Sequence, residues 1–225
     1  MPLNVDRSLF DFLILPGKNP GKKLQDFYNK AYLFWRETWQ TSYKYFGWDP
    51  DTVYSDWWTR QDNIGVLTYE QQIVGTVFFD EKDLTNFTAR HDSYFRMWSD
   101  ESFEKIRNQM GAQRALICSF FTLGKEWRKE NKGVDAKYLL ASMATKYFSN
   151  TDYELMIGTV VKMSQVHTVC YDLGAKMVTP DVDEKGVVVD LVMWHRNEIE
   201  NFNYPKESDI IKNIWPRNER HLKVA

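Results

Sequence analysis

The chain has 225 residues, a length that suits one large domain better than two. Hydrophobic residues make up 43% of the chain and charged residues 27%, and both values are ordinary for a globular protein. Lys and Arg total 29 and Asp and Glu total 31, so the formal net charge is -2. This balance argues against a nucleic-acid partner, because nucleic-acid binders carry an excess of basic residues.

The sequence predicts a cytoplasmic protein that is not integral to a membrane. Its two cysteines, Cys118 and Cys170, are too few for a disulfide framework and fit a reducing compartment. No apolar run approaches the roughly 18 residues of a membrane span. The apolar segment Leu9–Leu15 is too short for a secretion signal and is interrupted by Asp11.

Aromatic residues are frequent: Phe, Tyr and Trp make up 16% of the chain, and many of them lie between Phe27 and Trp58. Aromatic rings bury large apolar areas. One interpretation is that they pack a core and a contact between two copies of the chain, as in a homodimer. The other is that some of them line a groove or tunnel for an apolar or extended ligand.

The first half of the sequence predicts an arm, a helix and a hairpin. Residues 1–23 form an N-terminal arm that ends in a connector rich in Pro, Gly and Lys. Apolar residues then follow helical spacing over 24–40. Two strand-like segments, 64–69 and 73–79, flank a short polar turn and predict a hairpin.

The second half alternates helices with strands, which predicts an α/β (α+β) fold with a mixed central sheet, parallel central strands and flanking helices. We expect this domain to span 24–196 and a tail to follow over 197–225. Ligands on such sheets usually lie at the carboxyl ends of the central strands. The predicted helices are 101–110, 134–148, 162–173 and, in the tail, 209–214; the predicted strands are 115–122, 153–161, 175–178 and 186–194.

Several common catalytic signatures are absent from the sequence. They include the P-loop, the dinucleotide-binding glycine motif, the serine nucleophile elbow, the zinc-protease motif and C-x-x-C. The histidines show no metal-ligand spacing either, so we expect no metal; they are His91, His167, His195 and His221.

One candidate site is the junction between the loop after strand 115–122 and the helix that follows. A helix N-terminus binds phosphate because it offers unpaired N–H groups and the positive end of the helix dipole. Gly133 would let the backbone approach a ligand closely. The alternative is a solvated basic loop that only caps the helix. The positive charges near this junction are Lys125, Arg128, Lys129, Lys132 and Lys137.

A second candidate site lies in the segment Ser164–Gly174. At about 100° per residue, apolar side chains such as Met163 face the core. Ser164, His167 and Tyr171 form a second stripe, so three hydrogen-bonding side chains would point in one direction. A phenol is a suitable proton donor to a departing thiolate. The alternative is a His and a Tyr that are satisfied where the helix meets the sheet.

Together the two segments resemble the GNAT N-acyltransferase superfamily over roughly residues 24–195. In that superfamily a loop wraps the pyrophosphate of the donor, and a Tyr on a later helix protonates the leaving thiolate. By this resemblance Tyr171 falls on that Tyr, Asp172 on the acid after it, and Gly174 near a Gly of the same motif.

The loop departs from the superfamily's motif, Q/R-x-x-G-x-G/A, in either of two alignments. If Gly133 is the first Gly, Glu130 stands in place of Gln or Arg, and Asp135 in place of Gly or Ala. If Arg128 opens the motif, Asn131 replaces the first Gly and Gly133 is the second. Acids in this loop oppose the charge of a pyrophosphate, which argues against ordinary use of acetyl-CoA.

A degenerate loop is similar to that of one branch, the N-acyl amino acid synthases and acyl-homoserine lactone synthases. These enzymes take a long acyl chain, often from acyl carrier protein. The resemblance implies a thioester co-substrate, either acyl-CoA or the acyl-phosphopantetheine of a carrier protein, and a small amine acceptor. The aromatic N-terminal third would then shape an acyl tunnel, and the basic loop would dock an acidic carrier surface.

The predicted function is N-acyl transfer by direct attack of the amine on the thioester. The resemblance implies that Tyr171 protonates the sulfur; Glu154 is a candidate general base, with a water relay as the alternative. The predicted donor-binding residues are Thr122, Leu123, Arg128, Glu130, Asn131, Lys132, Gly133, Val134, Asp135, Ala136, Lys137, Ser164 and His167.

Two non-catalytic hypotheses stand beside this one. A catalytically inactive GNAT-like module would bind a ligand or oligomerise without turnover, and the imperfect loop and the pair Trp57–Trp58, which we expect to be exposed, favour it. A purely structural homo-oligomer would show neither ligand nor turnover, and it would dissociate when the aromatic patch is mutated.

Overall fold

The computed structural model describes residues 5–110, 113–129 and 133–222. No helix in these ranges is both long and apolar enough to span a bilayer. The strands are β1 (Phe10–Pro16), β2 (Asn63–Tyr69), β3 (Gln72–Asp83), β4 (Arg114–Leu123), β5 (Leu155–Val161), β6 (Lys176–Glu184) and β7 (Val187–His195). The helices are α1 (Gln25–Phe46), α2 (Asp56–Thr59), α3 (Phe87–Arg90), α4 (Asp100–Met110), α5 (Ala136–Ser149), α6 (Val166–Asp172), α7 (Arg196–Ile199) and α8 (Ser208–Leu222).

The seven strands form one mixed sheet in the order β1-β2-β3-β4-β5-β7-β6. β4 and β5 pair in parallel, from Ala115 opposite Leu155 to Cys118 opposite Gly158. The pairs β1–β2, β2–β3, β5–β7 and β6–β7 are antiparallel. The predicted fold class, a mixed sheet with parallel central strands and flanking helices, is therefore confirmed.

The predicted N-terminal arm contributes a strand to this sheet. β1 pairs with β2 along its whole length, from Phe10 opposite Tyr69 to Pro16 opposite Asn63. Phe10 and Phe12 are buried. A short, nearly continuous apolar run such as Leu9–Leu15 also fits a buried strand, but the connector that follows it favoured an arm.

Both terminal helices are longer than predicted. α1 runs past Gln40 because Trp39, Tyr43 and Phe46 continue the helical spacing, and it ends at Gly47, whose φ of 75° favours glycine. In the predicted tail, α8 lies against β1 and is a helix of 15 residues. Its buried side chains are Ile210, Ile211, Ile214 and Trp215.

The chain divides into two units, and each has its own core. The first comprises Met1–Asp80, Phe120–Ala144 and Asn203–Ala225, and the second comprises Glu81–Ser119 and Thr145–Phe202. The core of the second unit is built on the inward faces of β4, β5 and β7, and includes Phe95, Ile106, Ala115, Ile117, Leu155, Ile157, Leu191 and Met193.

Aromatic rings form the core of the first unit. The ring of Trp35 lies 5.7 Å from that of Trp58, 5.3 Å from that of Phe78 and 5.6 Å from that of Phe120. The expectation that Trp57–Trp58 is an exposed pair is wrong, because Trp58 is 1% exposed and Trp57 is half-buried. These rings therefore pack a core, as the first interpretation of the aromatic load proposes.

We predict that Trp35→Ala destabilises the protein by about 3–5 kcal/mol, since it leaves a large cavity among rings that cannot all move into it. The measurement is the free energy of unfolding from urea titrations monitored by circular dichroism. Tyr45→Ala is the matched control, because Tyr45 lies on the same helix and is 75% exposed; its effect should stay within about 0.5 kcal/mol. Equal losses in the two variants would contradict the assignment of Trp35 to the core.

Candidate active site

The helix that carries Tyr171 begins later than the sequence pattern predicts. After β5, Lys162–Ser164 forms a 3-10 turn, and Gln165 adopts a φ of 55° before α6 starts at Val166. The left-handed residue breaks the helical phase, so Ser164 does not share a face with His167 and Tyr171. Met163, which the same phase placed in the core, is 55% exposed.

The predicted end of this helix, residue 173, lies next to the observed end of α6 at Asp172. Gly174 has a φ of 85°, and its N–H donates to the carbonyl of Tyr171 at 3.0 Å. The N–H of Ala175 reaches back to the carbonyl of Cys170 at 2.9 Å. These two bonds make the left-handed glycine cap that ends many helices, and they fix the last turn of α6, on which Tyr171 lies.

The phenol of Tyr171 donates a hydrogen bond to a buried carboxylate. Its oxygen lies 2.8 Å from Oδ2 of Asp190, a residue of β7 that is 1% exposed. Tyr171 itself is half-buried. A buried carboxylate needs donors to offset its lost hydration, so this contact holds the Tyr171 side chain in one orientation.

Two further groups from the second unit compensate Asp190. The backbone N–H of Asp181 donates to its Oδ1 at 3.0 Å, and Nζ of Lys162 lies 3.7 Å from the same oxygen. Asp181 has a φ of 53° in an irregular part of β6, where the register with β7 shifts between Thr179 and Val182. This bulge turns the Asp181 amide onto Asp190.

Asp190 was not among the residues singled out from the sequence, although the sequence contains a pattern that marks it. It is the one charged residue in the run Val187–Met193, which is otherwise made of Val, Leu and Met. A carboxylate in the middle of a buried strand requires a partner. Nothing comparable in the sequence marks Lys162 or Asp181, because both follow from the positions of a turn and a bulge.

The environment of Tyr171 keeps its proton in place. Burial raises the pKa of Tyr171 above its ordinary value of about 10, and the hydrogen bond to Asp190 raises this pKa further. A phenol with a raised pKa stays neutral and protonated to a higher pH. Tyr171 therefore carries a transferable proton over the whole physiological range.

His167 lies one helical turn before Tyr171, and the centroids of their rings are 6.3 Å apart. Its Nδ1 atom is buried and has no hydrogen-bond partner within the described ranges. Ser164 is exposed, and its hydroxyl donates to the carbonyl of Val161 at 2.8 Å. The roles of Ser164 and His167 toward a donor stay predictions.

Neither cysteine is suited to form an acyl-enzyme. Both thiols are free, and burial raises the pKa of each, to about 12 for Cys118. The nucleophilic form of cysteine is the thiolate, which is scarce at neutral pH when the pKa is raised. This argues against a covalent intermediate on sulfur of the protein.

Glu154 lies immediately before β5, at the opposite end of that strand from α6. Asp190, the partner of Tyr171, is opposite Val160, whereas Leu155 is opposite His195. Glu154 is therefore separated from the Tyr171–Asp190 pair by roughly 15–20 Å of strand. A general base must lie within hydrogen-bond reach of the proton that it takes, so this position argues against Glu154, whose role stays a prediction.

In the first unit, the start of α5 is capped by a carboxylate of the chain itself. Asp135 precedes the helix, and its Oδ1 accepts the N–H of Tyr138 at 3.0 Å. Its backbone carbonyl accepts the N–H of Leu139 at 2.9 Å. Of the predicted loop residues, Gly133 has a φ of 72°. Glu130, Asn131 and Lys132 lie outside the described residues.

The other predicted donor-binding residues are engaged within the first unit. Nε of Arg128 donates to the carbonyl of Leu123 at 3.1 Å. The Thr122 hydroxyl donates to the carbonyl of Phe120 at 2.6 Å and accepts from Nε1 of Trp39 at 2.8 Å. Phe120 has a φ of 48°, so the end of β4 is kinked. Val134 and Ala136 are buried, and Lys137 is half-buried.

A group of residues that the sequence did not indicate closes over this junction. Arg7 donates to both oxygens of Asp209 at 2.7 Å, to Glu207, and to the carbonyl of Gly133 at 3.1 Å. Glu207 in turn accepts the backbone N–H of Asp135 at 2.8 Å. We call these five residues, Arg7, Gly133, Asp135, Glu207 and Asp209, the Arg7 clasp.

Elsewhere in the first unit an open groove of about 590 Å³ lies at the N-terminal end of α1. It contains none of the predicted site residues. Within the described ranges there is also no group of three or more His, Cys, Asp or Glu side chains that could hold a metal ion. The groove is lined by Lys18, Asn19, Pro20, Gly21, Lys22, Gln25, Tyr28 and Thr59.

Comparison with known proteins identifies the fold. No model of a known protein family matches the sequence, and no curated protein matches it. FeeM, an N-acyl amino acid synthase from uncultured soil microbes, has a TM-score of 0.54 at 12% identity over 84% of this chain and 93% of its own. The AHL synthase LasI gives 0.55 at 10% identity, over 84% of this chain and 90% of its own. Drosophila melanogaster polyamine N-acetyltransferase gives 0.53 at 10% identity, over 82% of this chain and all of its own.

These similarities establish that the chain has the GNAT fold, as the sequence resemblance predicts, and two of the similar structures are synthases of the branch named above. At such low identity the likeness concerns the fold. Function must be argued from the residues of the site.

We predict that Asp190→Asn lowers the pKa of Tyr171 toward its ordinary value, because the amide keeps a hydrogen-bond acceptor but removes the negative charge. The measurement is the pH titration of the Tyr171 ring carbon by ¹³C NMR, with the resonance assigned from Tyr171→Phe. Asp172→Asn is the control, since Asp172 is an exposed acid beside Tyr171 in sequence. If the pKa of Tyr171 falls no further in Asp190→Asn than in Asp172→Asn, or does not fall at all, the role given to Asp190 is contradicted.

Proposed function

We propose that the protein is an N-acyltransferase that moves an acyl group from a thioester donor to a small amine. The observation that carries this proposal is the Tyr171 phenol, fixed by a buried carboxylate on the helix that follows β5 of a GNAT fold. The raised pKa of this phenol keeps it in the protonated form that a departing thiolate requires.

The reaction is a direct displacement at the thioester carbonyl. The lone pair of the amine attacks the carbonyl carbon and forms the C–N bond. The C–S bond then breaks, its electron pair passes to sulfur, and the proton of the Tyr171 phenol passes to the thiolate. The ammonium loses its proton to water, and the Tyr171 phenolate regains a proton from water. The raised pKa of both thiols supports direct attack rather than an acyl-cysteine intermediate.

The donor is a pantetheine thioester held at the start of α5 and the end of β4. Gly133 supports this placement, because a residue without a side chain lets a ligand approach the backbone closely. The half-buried rings of Trp39, Tyr43 and Trp57 around Phe120 support an acyl group longer than acetyl. The free cysteines support a reducing, cytoplasmic setting.

We predict that Tyr171→Phe lowers kcat about 100-fold with an alkyl thioester donor, because the leaving thiolate loses its proton source. An aryl thioester releases a more acidic thiol, which leaves without a proton. With this donor the same variant should show a much smaller fall in kcat. The measurement is steady-state release of thiol with each donor. This dependence on the leaving group separates proton donation from a merely structural effect.

Tyr153→Phe is the matched control for this experiment. Tyr153 is also a hydrogen-bonded phenol with a raised pKa, but it lies before β5, at the other end of the strand. Its replacement should leave kcat within about twofold. If Tyr171→Phe lowers kcat by the same factor with both thioesters, or does not lower kcat with either, Tyr171 is not the proton donor.

The donor class is tested by thermal unfolding with acetyl-CoA, a long-chain acyl-CoA and a long-chain acyl carrier protein. A ligand at 100 times its dissociation constant adds about 2.7 kcal/mol to the free energy of unfolding, which a melting curve resolves. Stabilisation by a long-chain donor supports the proposal. Stabilisation without turnover of any amine would favour an inactive binding module, and no response to any donor would argue against a thioester-binding protein.

A further inference from the structure

Positive charge is concentrated at the start of α1, although the whole chain carries a formal net charge of -2. The segment 18–30 contains four lysines and a single acid, Asp26, so most of its charge is positive. All four lysines are exposed. The chain therefore has a basic surface that its overall composition conceals. We call these lysines the lysine patch; they are Lys18, Lys22, Lys23 and Lys30.

The surrounding residues leave the charge of the lysine patch uncompensated. Within the described ranges none of its lysines forms a hydrogen bond or an ion pair, and Asp26 forms none either. The N–H of Gly17 donates to the carbonyl of Asp62 at 3.0 Å, so the turn 60–62 lies beside the patch. This turn carries one charge of each sign and adds no net charge. The lysines are therefore available to a partner outside the chain.

The lysine patch borders the open groove of about 590 Å³ at the N-terminal end of α1. Lys18 and Lys22 line this groove together with the neutral polar side chains of Asn19, Gln25 and Thr59. None of the lining residues is acidic. Ammonium groups beside neutral hydrogen-bond donors favour an anionic oxygen, such as that of a phosphate. The chemistry of the groove thus agrees with the charge of the patch.

Exposed leucines accompany these lysines. Leu24 follows Lys23 directly and is 38% exposed, and Leu33, further along α1, is 50% exposed. Surfaces that lie on a bilayer combine the same two kinds of side chain: lysines contact anionic headgroups, and apolar side chains reach the boundary of the acyl chains. An acidic protein would pair with the lysines but would have no need of exposed leucines beside them. The combination therefore favours a lipid surface over a protein.

We propose that the lysine patch, with Leu24, is a docking surface for a bilayer that contains anionic phospholipids. Binding of this kind lies in the plane of the interface and needs no membrane-spanning helix. The docking surface is independent of the proposed function, because it requires neither a thioester nor an amine. Under the proposed function it would place the release of a long-chain amide beside the bilayer, in which such a product dissolves.

The test is co-sedimentation of the full-length protein with vesicles of phosphatidylcholine alone or with about 30% phosphatidylglycerol. The wild type should bind only the anionic vesicles, and its binding should weaken as salt is raised, because salt screens the attraction. Replacing Lys18, Lys22 and Lys23 together by Gln should lower the partition coefficient about 100-fold, since each lysine near an anionic surface contributes about fivefold. Circular dichroism checks that this variant is folded, as expected for exposed positions.

The matched control replaces three other exposed lysines of the first unit, Lys44, Lys125 and Lys212, by Gln. It makes the same change in net charge, and its partition coefficient should stay within about twofold of that of the wild type, because these lysines lie outside the patch. Leu24→Ser removes the exposed apolar side chain from the N-cap of α1, where serine is favoured. This variant should bind about fivefold more weakly at both low and high salt, since salt does not screen apolar contacts.

Three results would each overturn the proposal: equal binding to the two kinds of vesicle, equal losses in the two triple variants, or no binding of the wild type to anionic vesicles at low salt. If the wild type binds neither vesicle but binds an acidic protein such as acyl carrier protein through these lysines, the patch docks a protein and the proposal is wrong. Tyr171→Phe should bind vesicles as the wild type does, so a failure of the proposed function is distinguishable from a failure of the docking surface.

Discussion

A buried carboxylate must be paired, and this constraint organises the second unit around Asp190. Its oxygens require donors, which come from the Tyr171 phenol and from the Asp181 amide turned inward by the bulge in β6. Lys162, in the turn after β5, adds positive charge. Replacing Asp190 by an apolar residue would thus remove the reason for three local features: the bulge, the position of Lys162 and the fixed phenol. The polar cluster is costly in stability, which is consistent with a functional role.

In the first unit the groups that need a partner are donors: the backbone N–H groups at the start of α5 require acceptors. The first N–H groups of a helix have no acceptor within the helix. At the start of α5, the carboxylates of Asp135 and Glu207 supply two of these acceptors. A ligand phosphate and a side-chain carboxylate are alternative solutions to this requirement. The chain has adopted the second solution at the Asp135 amide, whose N–H donates to Glu207.

The fold was largely predictable because it depends on apolar periodicity. The spacing over 24–40 identified α1, and the continuous apolar run of 115–122 identified β4 as a strand covered on both faces. The site was less predictable because single backbone conformations decide it. Gln165 in the left-handed region shifts the phase of α6 and separates Ser164 from His167 and Tyr171. The position of Gly174 at the end of α6 was predictable, because a glycine directly after a helical pattern commonly caps the helix.

The Arg7 clasp was beyond sequence reasoning for a different reason. Arg7 and Glu207 are separated by nearly the whole chain, and each is an ordinary charged residue in a polar segment. They meet because β1 joins the sheet and α8 lies against β1, so two segments that we expected to be an arm and a tail both belong to the first unit. In a fold whose similar structures share about a tenth of its sequence, such terminal segments are free to differ in contacts that leave the core unchanged. The contacts at the start of α5 can therefore depend on the two terminal segments, although neither segment contains α5.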